Sequence, residues 1–280
     1  MALRFALSLG VLLLACGDSG SGGAAGATGI GGTGAGEAGG APAMGGGGAA
    51  TGGSTEGGGV PTTGGAGGEP ALGGGPLSGY GEISGTCGEV DLEDLQSVLP
   101  ALLSNEIDFS ARPRFDVSLL SEGGQEMVAD GNLGGSSLHS EVFALEVLER
   151  CEGATLLKTE GEIVYDTQSK KTDILVEIDG EKVGVSVVRA MSFPEGAAYT
   201  PADALPVLEG KLDDILLSTA SVSPADAWNK QILSVIAQTP EHAASIEAAY
   251  EMLDDETRAD TIVLITVTEG EDHFIYYNQP

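Results

Sequence analysis

Residues 173–190 read DILVEIDGEKVGVSVVRA, and this stretch indicates the fold of the chain. Its two halves, 173–179 and 182–190, alternate in polarity and are rich in β-branched residues, as strands are. Between them lies the short segment Asp179-Gly180-Glu181, which is typical of a tight turn. The stretch therefore predicts a β-hairpin.

Helix and strand patterns alternate on both sides of this hairpin. Apolar residues at helical spacing predict helices over 140–152, from Pro201 onward, and over 240–253, and apolar runs predict strands over 232–238 and 261–268. Weaker patterns predict a helix over 91–104 and strands over 162–166 and 273–277, whereas 108–132 shows no clear period. The sequence therefore predicts an α/β fold, a mixed-sheet sandwich.

The composition divides the chain into two unlike parts. Of the 45 glycines, 29 lie in residues 17–80, so the 280-residue chain has a Gly-rich N-terminal part and a body of ordinary composition. We divide it into a signal peptide (1–15), a linker that begins at a lipidated cysteine (16–80), an N-terminal annex of the body (81–137) and an α/β domain (138–280).

The first sixteen residues predict export. One cation, Arg4, precedes an apolar run that is too short to span a bilayer and ends in Leu13-Leu14-Ala15-Cys16. These four residues resemble the lipobox of bacterial lipoproteins. The resemblance implies cleavage before Cys16, acylation of Cys16 and an extracytoplasmic, lipid-anchored location in the bacterial cell envelope. The alternative is an ordinary secretory peptide with an incidental cysteine.

Residues 16–80 are mainly Gly, Ala, Thr and Ser, with four acids and no base. Such a composition buries too little apolar surface to offset its ordering entropy, so it predicts a disordered tether. A glycosylated stalk and a Gly-rich repeat that orders on binding remain alternatives.

Cys87 and Cys151 are the cysteines that remain after Cys16. An even pair in an exported protein predicts one disulfide. The alternative is that Cys151 is a buried free thiol on the apolar side of its helix.

The charge of the body argues against one class of partner. Residues 81–280 carry 38 acids and 11 bases, a net charge of −27. Nucleic acids bind proteins mainly through clustered Lys and Arg. The sequence therefore makes nucleic acid an unlikely partner.

The order of elements from 140 to 238 resembles the PD-(D/E)XK nuclease-like superfamily, which has the restriction-endonuclease fold. The shared features are a helix, a hairpin that begins at Thr172-Asp173, a strand that ends in VSVVRA, a crossover helix and a buried strand. In that family a helix Glu, a strand Asp and a Glu-x-Lys hold Mg²⁺ and orient the attacking water.

Two of these positions have acids in this chain. Glu141 matches the helix acid and Asp173 the strand acid, and Glu177 is a candidate for a migrated ligand because it shares a strand face with Asp173. Where the family has Glu-x-Lys, this chain has Ser186-Val187-Val188. Arg189 follows, and the alternation along a strand points it to the opposite face from Ser186 and Val188.

These departures favour a non-catalytic domain. We expect a binding or scaffold module for a protein partner, without a cofactor, in which Glu141 is a solvated helix residue and Asp173 only begins a strand. The alternative is a metal-dependent phosphodiesterase or nuclease that holds Mg²⁺ or Mn²⁺ at Asp173, with Glu141 and Glu177 in a rearranged site.

Overall fold

The computed structural model describes residues 80–109, 114–133 and 135–277, and these residues are built around one mixed sheet. Within them the sheet has seven strands in the spatial order β1-β2-β7-β6-β5-β4-β3. Strands β2, β7, β6 and β5 are parallel, whereas β1, β4 and β3 pair antiparallel. The prediction of an α/β fold with a mixed sheet is confirmed. The strands are β1 (Glu82–Gly85), β2 (Ala101–Asp108), β3 (Thr155–Thr159), β4 (Ile174–Ile178), β5 (Glu181–Ala190), β6 (Lys230–Ala237) and β7 (Ile262–Glu269).

Helices cover both faces of the sheet. The alternating side chains of β6 show this, since Ile232 and Ile236 pack in the cluster that contains α3, and Leu233 and Val235 in the cluster that contains α4 and α5. Both faces of the central strands are therefore buried, which accounts for their apolar sequences. The helices are α1 (Leu92–Gln96), α2 (Glu122–Asp130), α3 (Leu138–Glu152), α4 (Pro201–Ser221), α5 (Pro240–Tyr250), α6 (Asp255–Arg258) and α7 (His273–Tyr277), with a 3₁₀ turn at Val117–Leu119.

Strands β4 and β5 form the predicted hairpin. Their register runs from Ile178 opposite Glu181 to Ile174 opposite Val185, and Asp179 and Gly180 both have positive φ angles, as a two-residue hairpin turn requires. Strand β5 continues to Ala190, five residues beyond its last partner in β4. The β4 side of β5 is therefore open from Val187 onward, and the candidate site lies there.

The helix predicted over 91–104 is wrong beyond its first turns. Helix α1 is capped by the side chain of Asp91 and ends at Gln96, and Pro100 precedes β2. Proline at position 100 lacks the N–H that a helix would use there and disfavours its continuation, and the residues after it gain a full parallel pairing with β7. Their leucine spacing fits a helix, but the free sheet edge decides their conformation. In the segment without a clear period, the structure places α2.

The strand predicted over 162–166 is also wrong. The neighbour of β4 is β3, which lies several residues earlier in the chain. Ile163 packs instead in a small cluster with Leu175 and Trp228, and Tyr165 makes one isolated bridge to Val222. The apolar residues of this segment therefore serve packing without forming a ladder.

The predicted last strand, 273–277, is the helix α7. Three consecutive residues, Phe274, Ile275 and Tyr276, are buried. The ring of Phe274 lies 5.5 Å from that of Phe143 on α3. Burial of consecutive residues suits a helix inserted among aromatic rings better than an edge strand with one solvated face.

The annex residues 81–137 contribute β1 and β2 to the same sheet as the rest of the body. Tyr80, which we assigned to the end of the linker, is fully buried, and its ring lies 5.0 Å from that of Phe143. A disulfide joins Cys87 to Cys151, with a Cα–Cα distance of 4.6 Å. It ties the loop after β1 to the C-terminal end of α3.

The predicted signal peptide (1–15), the lipidated Cys16 and the linker up to residue 79 lie outside the described residues. Within the part of the chain that the structure describes, the helices are either too short or too polar to cross a membrane.

Candidate functional site

A cavity of about 340 Å³ lies beside the open end of β5. We call it the Asp173 pocket. Helix α3 contributes residues from its N-terminal end, β5 contributes its last residues, and α4 contributes one lysine. The lining residues are Ser137, Ser140, Glu141, Asp173, Val187, Val188, Arg189, Met191 and Lys211.

Asp173 is held in this pocket by the backbone of β5. Its own N–H donates to the carbonyl of Val185 at 3.1 Å, which extends the hairpin by one bond. Its carboxylate then accepts a hydrogen bond from the N–H of Val187 at 2.6 Å. That N–H has no partner in β4, because β4 begins only at Ile174 and pairs with β5 no farther than Val185. The carboxylate of Asp173 takes the place of the missing strand partner.

Glu141 reaches the pocket from the first turn of α3. Its side chain is buried, with a relative exposure of 4%. Asn132 donates its amide N–H to the carboxylate at 3.3 Å, and the same amide lies 3.0 Å from Ser137 Oγ. The expectation that Glu141 is a solvated helix residue is therefore wrong, because this side of α3 faces the sheet.

Burial and neighbouring charges shift the ionisation of both carboxyl groups. Burial raises the pKa of Asp173 to about 7, the negative charge of Glu141 adds to this rise, and the cation Lys211 opposes it. Burial also raises the pKa of Glu141, and hydrogen bonds from Ser137 and Asn132 oppose that rise. For each carboxylate, the hydrogen bonds and the nearby Lys211 therefore do not offset the cost of burying its negative charge.

Arg189 lines the pocket together with Asp173. The sequence placed Arg189 on the strand face opposite Ser186 and Val188, and that position does not keep it out of the pocket. Strand β5 presents Val187 and Arg189 toward α3, since residues 183, 185 and 187 pack in the same cluster as that helix. The guanidinium donates to the carbonyl of Ser136 at 2.7 Å and to that of Tyr276 at 2.6 Å. Arg189 thus joins the start of α3 to the end of α7.

Lys211 is the residue that the sequence did not reveal. It is half-buried on α4, 38 residues after Asp173, in no recognisable motif. Its charge lowers the pKa of both carboxyl groups, and it lines the same pocket. Helix α4, which follows β5 in the chain, thus brings a cation to the pocket at the end of β5 that β4 does not cover.

Glu177 does not join the pocket. It is exposed and pairs with Lys182 on one side and Thr155 on the other, within the antiparallel part of the sheet. Although it shares a strand face with Asp173, it lies two pleats farther toward the turn. The site therefore contains Glu141 and Asp173 of the three candidates.

A second carboxylate group lies on the surface. Glu126 and Asp130 on α2 and Glu162 after β3 are all exposed, and their oxygens can lie within 4.8 Å of one another. Thr159 donates its hydroxyl to Asp130 at 3.0 Å. We call this set the surface acidic cluster.

Comparisons with known proteins do not establish a family for the chain. No protein-family model matches it. A protein of Dictyostelium discoideum described as AAC-rich mRNA clone AAC4 protein is 37% identical over 186 residues, which cover 64% of this chain and 25% of that protein. The chain thus spans about a quarter of the length of this curated relative.

One solved structure resembles the chain weakly. It is Pyrococcus furiosus SfsA in complex with Ca²⁺, with a TM-score of 0.23 and 14% identity over 48% of this chain and 58% of that one. A TM-score of 0.23 is too low to establish a shared fold.

Proposed function

We propose that the Asp173 pocket is the site of a divalent-cation-dependent phosphodiesterase. The observation that carries this proposal is the convergence of Glu141, Asp173 and Lys211 on one cavity from three different elements. The acids serve to bind a cation, and the lysine serves to bind a phosphoryl oxygen or to orient a water molecule. The restriction-endonuclease-like fold belongs to this proposal, supported by the order of α3, the β4–β5 hairpin, α4 and β6.

The two carboxylates suit a hard divalent cation. Mg²⁺ and Mn²⁺ prefer carboxylate oxygens, and Mg²⁺ commonly takes only one or two of them and keeps several waters. Glu141 and Asp173 would hold the cation, which would supply Lewis-acid activation of a phosphoryl oxygen and of a bound water. The raised pKa of Asp173 fits this role, because a bound cation would compensate the charge that the protein leaves unbalanced.

The residues of the chain have separate tasks in such a site. The N–H of Val187 fixes one oxygen of Asp173. Asn132 orients Glu141 through its amide. Lys211 supplies a positive charge where a phosphate would carry its negative oxygens.

A binding module without catalysis is the second candidate. It is favoured by the net charge of −27 on residues 81–280 and by Ser186-Val187-Val188 in place of Glu-x-Lys. The partner would then be a protein, and no cofactor would be needed. The two candidates differ in whether Asp173 binds a cation.

Calorimetric titration of Mn²⁺ and Mg²⁺ into the purified full-length protein separates them. We expect binding to the wild type, a loss of affinity of about 100-fold or more in Asp173→Ala, and wild-type affinity in Glu126→Gln, which changes the surface acidic cluster instead. The isosteric Asp173→Asn keeps a hydrogen-bond acceptor for Val187 and guards against misfolding. Equal affinity in the wild type and both Asp173 variants would refute the phosphodiesterase and leave the binding module.

We also propose that Cys16 is acylated and anchors the chain in the cell envelope. The support is the sequence Leu13-Leu14-Ala15-Cys16 after a short apolar run. Incorporation of labelled fatty acid should disappear in Cys16→Ala and persist in Cys87→Ala. Continued labelling of Cys16→Ala would contradict the anchor.

A further inference from the structure

We infer that the substrate of this site is a small phosphodiester with a single negative charge, and that polynucleotides are excluded. The inference rests on the proposed function and adds the class of substrate to it. Three features support it: the size of the pocket, the hydrogen bonds that already occupy Arg189 but not Lys211, and the acidic surface around the pocket.

The size of the Asp173 pocket suits a small ligand. Its volume of about 340 Å³ lies at the lower end of the range for small-molecule sites, about 300 to 1,000 Å³. A cavity of this size holds one phosphodiester group and short substituents. A polynucleotide would need, in addition, a surface outside the pocket that follows its backbone.

The cations at the pocket can balance one phosphate. Arg189 lines it, but its guanidinium already donates to two backbone carbonyls and to the hydroxyl of Ser136. Lys211 lines the pocket and acts electrostatically on Glu141 and Asp173, but among the described residues it makes no hydrogen bond or ion pair that would keep it from a ligand. With two carboxylates, Arg189, Lys211 and one divalent cation, the pocket carries a net positive charge that favours an anionic diester, and Lys211 is the side chain placed to contact that charge.

Three other described cations are already engaged within the protein. Lys158 pairs with Asp226 at 2.8 Å, and Lys170 pairs with Asp214 at 3.1 Å. Lys230 is buried and donates to the carbonyls of Ser97 and Leu99. The remaining surface is dominated by acids, given 38 acids and 11 bases in residues 81–280. Each further phosphate of a polynucleotide would therefore add repulsion without a contact.

The reaction consumes one water molecule. The water oxygen forms a new bond to phosphorus as the ester bond to the leaving oxygen breaks. The leaving oxygen departs with its bonding electron pair and takes up a proton, and the water loses one. A diester and water thus give a monoester and an alcohol, with no redox co-reactant.

The test compares two probes that release the same leaving group on the full-length protein with Mn²⁺: the p-nitrophenyl ester of thymidine 5′-phosphate and a single-stranded DNA oligonucleotide whose 5′-phosphate carries the same ester. We expect kcat/KM for the small diester to exceed that for the oligonucleotide ester by about 100-fold, and excess unmodified DNA not to inhibit hydrolysis of the small diester. Hydrolysis should be lost in Asp173→Asn and retained in Glu126→Gln, which shows that it arises at this pocket.

The outcomes separate the inference from the proposed function. Mn²⁺-dependent, Asp173-dependent cleavage of DNA at a comparable or higher rate would overturn the small-substrate inference and leave the phosphodiesterase standing. Failure to cleave either probe while Mn²⁺ binds would overturn both. Failure to bind Mn²⁺ at Asp173 would remove the proposed function itself.

Discussion

The Asp173 pocket and the surface acidic cluster both gather carboxylates, but only the pocket surrounds them with a cavity and a cation. The surface cluster has three acids, all exposed to water. The pocket has two, and burial raises the pKa of both. Water screens and solvates exposed charges, so their number has little effect on chemistry. Desolvation and shape, rather than the count of acids, therefore distinguish a candidate site from an acidic surface.

The largest expected effect concerns stability and pH at Asp173. Its pKa rises from 3.8 to about 7 on folding, so between those pH values the folded protein holds a proton that the unfolded chain has lost. Stability from this group is therefore full below pH 4 and falls as pH rises toward 7, by about 4 kcal/mol in total. The group thus opposes folding at neutral pH.

Urea unfolding in EDTA at pH 4 and pH 8 checks this effect. Asp173→Asn should gain about 4 kcal/mol relative to the wild type between the two pH values, because the neutral amide cannot ionise. Asp130→Asn is the matched change in the surface acidic cluster and should show no such gain. A pH-independent difference between Asp173→Asn and the wild type would show that Asp173 is not desolvated.

The disulfide separates global stability from the chemistry of the pocket. It closes a loop with a sequence separation of 64, and in the chain-entropy model its removal costs about 4 kcal/mol. Cys87→Ser/Cys151→Ser should therefore lower the free energy of unfolding in urea by that amount. Its Mn²⁺ affinity under native conditions should equal that of the wild type, because Cys151 and Glu141 lie at opposite ends of α3. A parallel loss of Mn²⁺ affinity would mean that the geometry of the pocket depends on the disulfide at the other end of α3.

Removal of Lys211 should have a smaller effect. In Lys211→Met the pKa of Asp173 loses an opposing influence, so the pH midpoint of Mn²⁺ binding should move upward. We expect kcat/KM for the small diester to fall about tenfold, or more if Lys211 contacts the phosphate. Lys211→Arg keeps the charge and should keep the wild-type midpoint. Equal midpoints in the Met and Arg variants would remove Lys211 from the site.

The smallest effect is expected in the surface acidic cluster. Glu126→Gln removes one exposed charge and should change the free energy of unfolding by less than about 0.5 kcal/mol. Mn²⁺ affinity, measured by calorimetry, should change by less than about twofold. A larger loss would move the cation site from the Asp173 pocket to the surface and would reverse the comparison.

The sequence determined the elements whose local pattern agrees with their environment. The β4–β5 hairpin, the helices that begin at Pro201 and Pro240 and the buried strands β6 and β7 follow from turn residues, first-turn prolines and apolar runs. It also made Glu141 and Asp173 candidates, through the resemblance of the order of helix and hairpin to that of a known superfamily.

The tertiary structure decided what depends on distant partners. Strand β2 forms because the edge of β7 is free. Helix α7 forms because its apolar residues insert among rings from several elements, such as Phe109 and Phe143, and Glu141 is buried because α3 covers the sheet. Lys211 joins the pocket because β4 pairs with β5 no farther than Val185. This leaves the last residues of β5 uncovered on that side, where α4 can reach them. Propensity and periodicity report only on neighbours along the chain, whereas a site is built from side chains that folding brings together.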